Sequence, residues 1–205
     1  GDGGAGAGVY NASDGVLLVT SSTLDANLTG AGQRFIDNTD LSTQTGGNGG
    51  LGGGFYNAGT LRLRNSTLSG NLTGDGGAGY YSDATRGGLA GIAGHGAGLY
   101  NTGTFSATHS TITNNSVGIE GDGNANPVNG SGGGFYQAAG AAEFRNTIIA
   151  GNDMPTSAAY AECYGTLTSQ NYNLVGSGTG CPHNGGQDQT TGDPKLSPLA
   201  DNGGP

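Results

Sequence analysis

One short motif, glycine then an apolar residue then tyrosine, recurs along this chain: Gly8-Val9-Tyr10, Gly54-Phe55-Tyr56, Gly98-Leu99-Tyr100 and Gly134-Phe135-Tyr136. The tyrosines lie 46, 44 and 36 residues apart. Each motif opens a segment that runs to Asn27, Asn71, Asn115 or Asn152. In the second segment the turn Asn57-Ala58-Gly59 is followed by the alternating stretch Leu61-Arg62-Leu63-Arg64 and the closing run Ser66-Thr67-Leu68-Ser69-Gly70-Asn71. Period-two alternation is the signature of a half-buried strand.

Aligning the segments gives three inward columns. They are Leu17, Leu61, Phe105 and Ala142; Val19, Leu63, Ala107 and Phe144; and Leu24, Leu68, Ile112 and Ile149. The intervening column, Leu18, Arg62, Ser106 and Glu143, is mostly polar. Chemistry kept by column means that each unit stacks on the next, because no unit can bury its own inner face. No stretch has helical apolar periodicity with caps. Three short strands per unit, stacked in parallel, predict an all-β, right-handed parallel β-helix. Residues 1–152 would form the repeats and residues 153–205 an extension that packs on or caps the solenoid. Asparagine closing each unit would stack at a corner, where it tolerates the left-handed conformation and can pair its amides along the ladder.

The 46 glycines are far above ordinary usage. Disorder is not the reading, since the apolar residues recur in register and only 10% of residues are charged. The glycine-rich stretches Thr73 to Gly96 and Val117 to Gly133 leave the repeats at the same corner, so they should cluster along one side. Repeat proteins often place a binding face there.

A net charge of −9 with six lysines and arginines argues against nucleic acid and against anionic lipid. The longest strongly apolar run, Val16-Leu17-Leu18-Val19, is far too short to insert in a membrane as a helix. An acidic, lysine-poor surface suits a secreted protein or a cation binder. The chain opens at Gly1 and not at methionine, as a processed chain or a fragment would. Two cysteines, Cys163 and Cys181, permit a disulfide or stand as two free thiols.

Candidate chemistry is sparse. Glu120, Asp122, Asn124 and Asn126 place oxygen side chains at alternate positions, a pattern suited to calcium, although no terminal glutamate follows. No other cofactor is required. Tyr10, Tyr56, Tyr100 and Tyr136 fall one residue from an apolar column, hence on the outer face. There they would meet sugar rings or a partner protein, or pack under the glycine-rich loops. Asn11, Asn27, Asn65, Asn71, Asn114 and Asn129 each open an Asn-x-Ser/Thr triplet, an acceptor pattern for glycosylation. Glycoside hydrolysis needs two opposed carboxyl groups, and the nearest pair in sequence is Asp37 and Asp40. Lyase chemistry needs a base, but Lys195 lies in the tail and the arginines mostly sit in repeat columns. His95, His109 and His183 are far apart, against a zinc site. The clusters at Gly1-Asp2-Gly3-Gly4 and Gly74-Asp75-Gly76-Gly77 lack the Gly-Lys-Ser/Thr ending of a phosphate loop.

The pairing of a Gly-Gly-x-apolar element with an apolar-x-x-Asn element resembles the repeats of chlamydial polymorphic outer-membrane proteins. The C-terminal part carries more. Asn146-Thr147-Ile148-Ile149-Ala150-Gly151-Asn152 precedes Cys163, then Gln170-Asn171-Tyr172-Asn173-Leu174-Val175-Gly176 and Cys181. After these come Gly192-Asp193-Pro194-Lys195-Leu196 and Pro198-Leu199-Ala200-Asp201-Asn202-Gly203-Gly204-Pro205. This order is similar to that of bacterial choice-of-anchor Q domain proteins. The resemblance implies a right-handed β-helix displayed outside the cell, supports pairing of Cys163 with Cys181, and implies no reaction. A non-catalytic extracellular or cell-surface scaffold, adhesin or filament subunit is therefore expected, with a carbohydrate-binding or polysaccharide-degrading β-helix as the alternative. Partners would be surface glycans, host or neighbouring-cell proteins, or further copies of the chain stacked head to tail.

Overall fold

The computed structural model describes residues 1–34, 45–79, 88–123, 129–155, 160–176, 180–191 and 193–200. It is a three-sided parallel β-helix. The first sheet stacks β1 (Val9–Asn11), β4 (Phe55–Asn57), β7 (Leu99–Asn101), β10 (Phe135–Gln137) and β13 (Cys163–Tyr164). The second stacks β2 (Val16–Thr20), β5 (Thr60–Arg64), β8 (Thr104–Thr108), β11 (Ala141–Arg145) and β14 (Thr168–Ser169). The third stacks β3 (Thr23–Asp25), β6 (Thr67–Ser69), β9 (Thr111–Thr113), β12 (Ile148–Ile149), β15 (Leu174–Val175) and β16 (Gln189–Thr190). Beyond Asn152 the chain thus continues the solenoid, adding one strand to each sheet before Cys181 closes back on Cys163 in a disulfide with Cα atoms 5.3 Å apart.

The strand registers reproduce all three inward columns. Leu61, Leu63, Leu68, Phe105, Ile112, Phe144 and Ile149 are buried to within 1% of full exclusion, and Phe55, Leu99 and Phe135 add a column from the first sheet. Phe105, Phe135 and Phe144 pack edge and face with centroids 5.2–5.7 Å apart. Burying each such ring is worth roughly 1.5–3 kcal/mol. The first coil holds only partly buried Val9, Leu17, Val19 and Leu24 at the core.

The corners are polar and stacked. Asn27, Asn71, Asn115 and Asn152 form a ladder, each Nδ2 donating to the Oδ1 of the next at 2.8–2.9 Å. One expectation is corrected here. The ladder asparagines themselves do not take the left-handed conformation. The residue before each does: Ala26, Gly70, Asn114 and Gly151, with φ from 54° to 74°. That twist turns the following amide inward. A second ladder, Asn11, Asn57, Asn101 and Gln137, lines the corner between the first and second sheets at 2.7–2.9 Å. Between the second and third sheets, Ser21, Asn65, His109, Asn146 and Asn171 hold φ from 47° to 70°. After the first four the next residue is a serine or threonine (Ser22, Ser66, Ser110 and Thr147), and Ser22 N donates to Ser66 Oγ as Ser66 N does to Ser110 Oγ.

The described parts of the glycine-rich stretches do cluster on one side, as ordered rows of chain. They leave the asparagine corner and return to the first sheet as two rows of extended chain. Within the returning row, Gly46, Gly49 and Gly52 donate to Leu89, Ile92 and His95 carbonyls at 2.8–3.0 Å. Within the outgoing row, Thr73, Gly76 and Gly79 donate to Ser116, Ile119 and Asp122. The rows also bond to each other, Gly47 to Gln33 and Gly50 to Gly30, then Gly91 to Gly77 and Gly94 to Gly74. Bonds in steps of three match the three residues per turn of a polyproline-II-type chain. These are glycine helices of that type, packed side by side. A Cβ on Gly47 would lie 2.0 Å from Gly1 O, and one on Gly91 1.9 Å from Gly47 O. Only glycine permits this approach. The third residue of each turn faces outward, as Asn48, Asp75, Leu89, Ile92 and Ile119 do; all five are exposed.

Candidate functional site

The tyrosine column runs across every strand of the first sheet. Strand alternation turns Tyr10, Tyr56, Tyr100 and Tyr136 outward from the first sheet, and the last coil adds Tyr164. Successive ring centroids are 4.8, 5.3, 5.2 and 4.7 Å apart, with the planes within 18° of parallel. The rings therefore pack on one another. Ring faces inside the ladder are taken by neighbouring rings, and what solvent meets is a row of edges and hydroxyls. Tyr10 is 58% exposed and Tyr164 40%, while the three between are half-buried. Burial, and then the neighbouring phenols, push the Tyr100 and Tyr136 hydroxyls above the ordinary tyrosine range.

The glycine bundle meets the ladder at His95. Its ring stacks on Tyr136 with centroids 4.7 Å apart, and its Nδ1 accepts from Ser131 N at 3.0 Å. Burial lowers its pKa, which favours the neutral ring. Next to it, a shallow apolar recess of about 290 Å³ runs over the returning glycine row, lined by Asp2, Ala5, Asn48, Leu51, Ile92 and His95.

The other sequence candidates are scattered. Of the calcium set, Glu120 and Asp122 stand on the outgoing row, with Asp122 exposed; Asn124 and Asn126 lie outside the described residues. Asp37 and Asp40 also lie outside them. Among the described residues, no three His, Cys, Asp or Glu side chains gather as metal ligands would. His109 bonds Asn146 through Nε2 at 2.8 Å, and His183 Nδ1 meets the Cys181 carbonyl at 2.8 Å. Lys195 pairs with exposed Asp193 at 2.6 Å in the tail. Among the described residues, the structure does not bring these groups together.

The glycosylation triplets have a structural origin. Asn11, Asn27 and Asn71 give their Nδ2 atoms to the two ladders, and a glycan there would remove a rung. The threonines two residues after Asn27 and Asn71 clamp the bundle: Thr29 Oγ1 donates to Gly50 O and accepts from Gly74 N, and Thr73 repeats this with Gly94 and Gly118. Asn129 accepts from Glu120 N. Asn65 and Asn114 are exposed at left-handed turns.

Two features escape sequence reasoning. The asparagine ladder ends on Glu162, whose Oε1 accepts from Gly151 N and Oε2 from Asn152 N and Nδ2 at 2.8–3.1 Å. The second ladder ends on Gln137, where the unit departs from asparagine. No helix among the described residues is long and apolar enough to cross a membrane. Scans against protein-family models, curated proteins and solved structures returned no match, so what is established for this chain is a three-sided parallel β-helix.

Proposed function

We propose that this chain is a non-catalytic scaffold of a bacterial extracellular or cell-surface protein, of the choice-of-anchor Q and polymorphic outer-membrane repeat type. The observation that carries this reading is the use to which the polar residues are put. Two amide ladders, a hydroxyl corner, a stacked phenol row and a glycine bundle all join coil to coil. Such a body resists bending and suits the holding of other groups at a distance. The Cys163–Cys181 bond supports an oxidising compartment outside the cytoplasm. Adhesion, where it occurs, would use the outward-facing row of tyrosine edges and the apolar residues of the glycine bundle.

End-to-end association belongs to the same reading. Strands β1, β2 and β3 each have one hydrogen-bonded neighbour, and the first-coil core residues are only partly covered. A second copy stacked on that edge would pair it. Electron microscopy of the purified chain with size-exclusion chromatography tests this. Rods that lengthen with concentration are expected; rods of one fixed length at all concentrations would remove self-association from the reading.

A further inference from the structure

The geometry points to the tyrosine ladder as a site of oxidative cross-linking, in which peroxide, through a haem peroxidase, couples Tyr10 to Tyr56 and Tyr136 to Tyr164. This goes beyond the scaffold reading and does not depend on it, since the chemistry is a property of the folded chain in any compartment.

Three observations lead there. The first is proximity. Each ladder phenol has another within 5.3 Å, so a phenoxyl radical formed on one need not find its partner by diffusion. Held neighbours react at effective concentrations far above those in free solution. Tyr172, 58% exposed, appears in no aromatic pair among the described residues and would have to meet another molecule. The second is the shortage of competing sinks. The chain has no tryptophan and a single methionine, Met154, and both cysteines are in the disulfide. The third is freedom at the two ends. Coupling requires a ring to swing out of the stack until its ortho carbon meets that of its neighbour. Tyr10 and Tyr164 are the most exposed ladder rings, and their ladder contacts are the closest, 4.8 and 4.7 Å; Tyr160 meets Tyr164 only edge-on, at 5.6 Å. Tyr56, Tyr100 and Tyr136 are half-buried between rings on both faces.

The step balances. Each phenol loses one electron and one proton to give a phenoxyl radical. The two ortho carbons form a bond, and each ring regains aromaticity as its ortho hydrogen moves to oxygen. The pair has lost two hydrogens, and one hydrogen peroxide has become two waters. The product ties one coil covalently to the next.

The purified chain treated with horseradish peroxidase and hydrogen peroxide tests this, with mass measurement of the monomer and peptide mapping. The expected result is a monomer lighter by two hydrogens per cross-link, with mapped links Tyr10–Tyr56 and Tyr136–Tyr164. Tyr10→Phe keeps a ring in the stack and should lose the first link while retaining the second. Three results would each overturn the proposal: links only between molecules, with the monomer mass unchanged; oxygen added at Met154 with no link; or a Tyr10→Phe chain with an unaltered pattern.

Discussion

Asn152 donates its Nδ2 to Oε2 of Glu162 at 2.8 Å, and there a line of amides running from Asn27 ends on a carboxylate. Every amide in the line donates towards the C-terminal end, so the last one needs an acceptor that asks for none in return. An ionised carboxylate is acceptor-only. Glu162 also takes the backbone N–H groups of Gly151 and Asn152, and is itself buried.

Glu162→Ala leaves three donors without an acceptor. A loss of about 3 kcal/mol in unfolding free energy is expected, by urea titration. Glu162→Gln should cost less, because an amide oxygen can still accept from Asn152, as the Gln137 oxygen accepts from Asn101 at 2.9 Å.

The same carboxyl makes stability depend on pH. Burial, opposed by its three hydrogen bonds, holds the Glu162 pKa above its ordinary value of 4.5. The folded chain therefore keeps this proton to higher pH than the unfolded chain does. The contribution is fully present below the ordinary value and is lost as pH rises through the raised folded value. Comparing urea midpoints of wild type and Glu162→Gln across this range should show a fall in the wild type that the variant lacks.

Within the ladder, Asn115→Ala removes a fully buried rung and leaves the Asn71 amide without its acceptor. A cost of about 2–3 kcal/mol is expected. Its neighbour Asn114→Gly should be near neutral or slightly stabilising, since Gly70 and Gly151 hold the equivalent left-handed position. Equal losses at the two sites would show that the ladder contributes nothing particular.

In the glycine bundle, Gly91→Ala pushes a methyl group against Gly47 O. We expect at least about 2 kcal/mol of destabilisation, with faster amide exchange in residues 46–52 and 88–96. Ile92→Ala, one residue away and facing solvent, should change stability by less than about 0.5 kcal/mol.

Replacing Cys163 and Cys181 together by alanine opens a cross-link between residues 18 apart. About 3 kcal/mol of stability should be lost, and a reducing agent should lower the melting temperature of the wild type but not of the variant.

The strands were legible because apolar side chains must fall on one face at every second position, so Leu17, Leu61 and Phe105 align whatever lies between the coils. The asparagine ladder was legible for the same reason, as chemistry repeated by column. The glycine bundle was not, because its order lies in backbone hydrogen bonds that bear no side-chain pattern except where glycine is required. A signal was present: Gly46-Gly47-Asn48-Gly49-Gly50-Leu51 and Leu89-Ala90-Gly91-Ile92-Ala93-Gly94 both repeat in threes. Glu162 was hidden because the last coil is short and its ladder position carries a carboxylate where the earlier units carry amides. The outward placement of the tyrosines could be read, but their face-to-face stacking could not, since alternation fixes the side of the sheet and not the ring rotation.

Most direct of all is turnover of polysaccharide. The purified chain, incubated with a panel of neutral and acidic plant and algal glycans and followed by mass spectrometry of released fragments, should liberate nothing, whether or not a glycan is retained. One oligosaccharide series released in proportion to protein and time would contradict the scaffold reading and make the chain a carbohydrate-active enzyme.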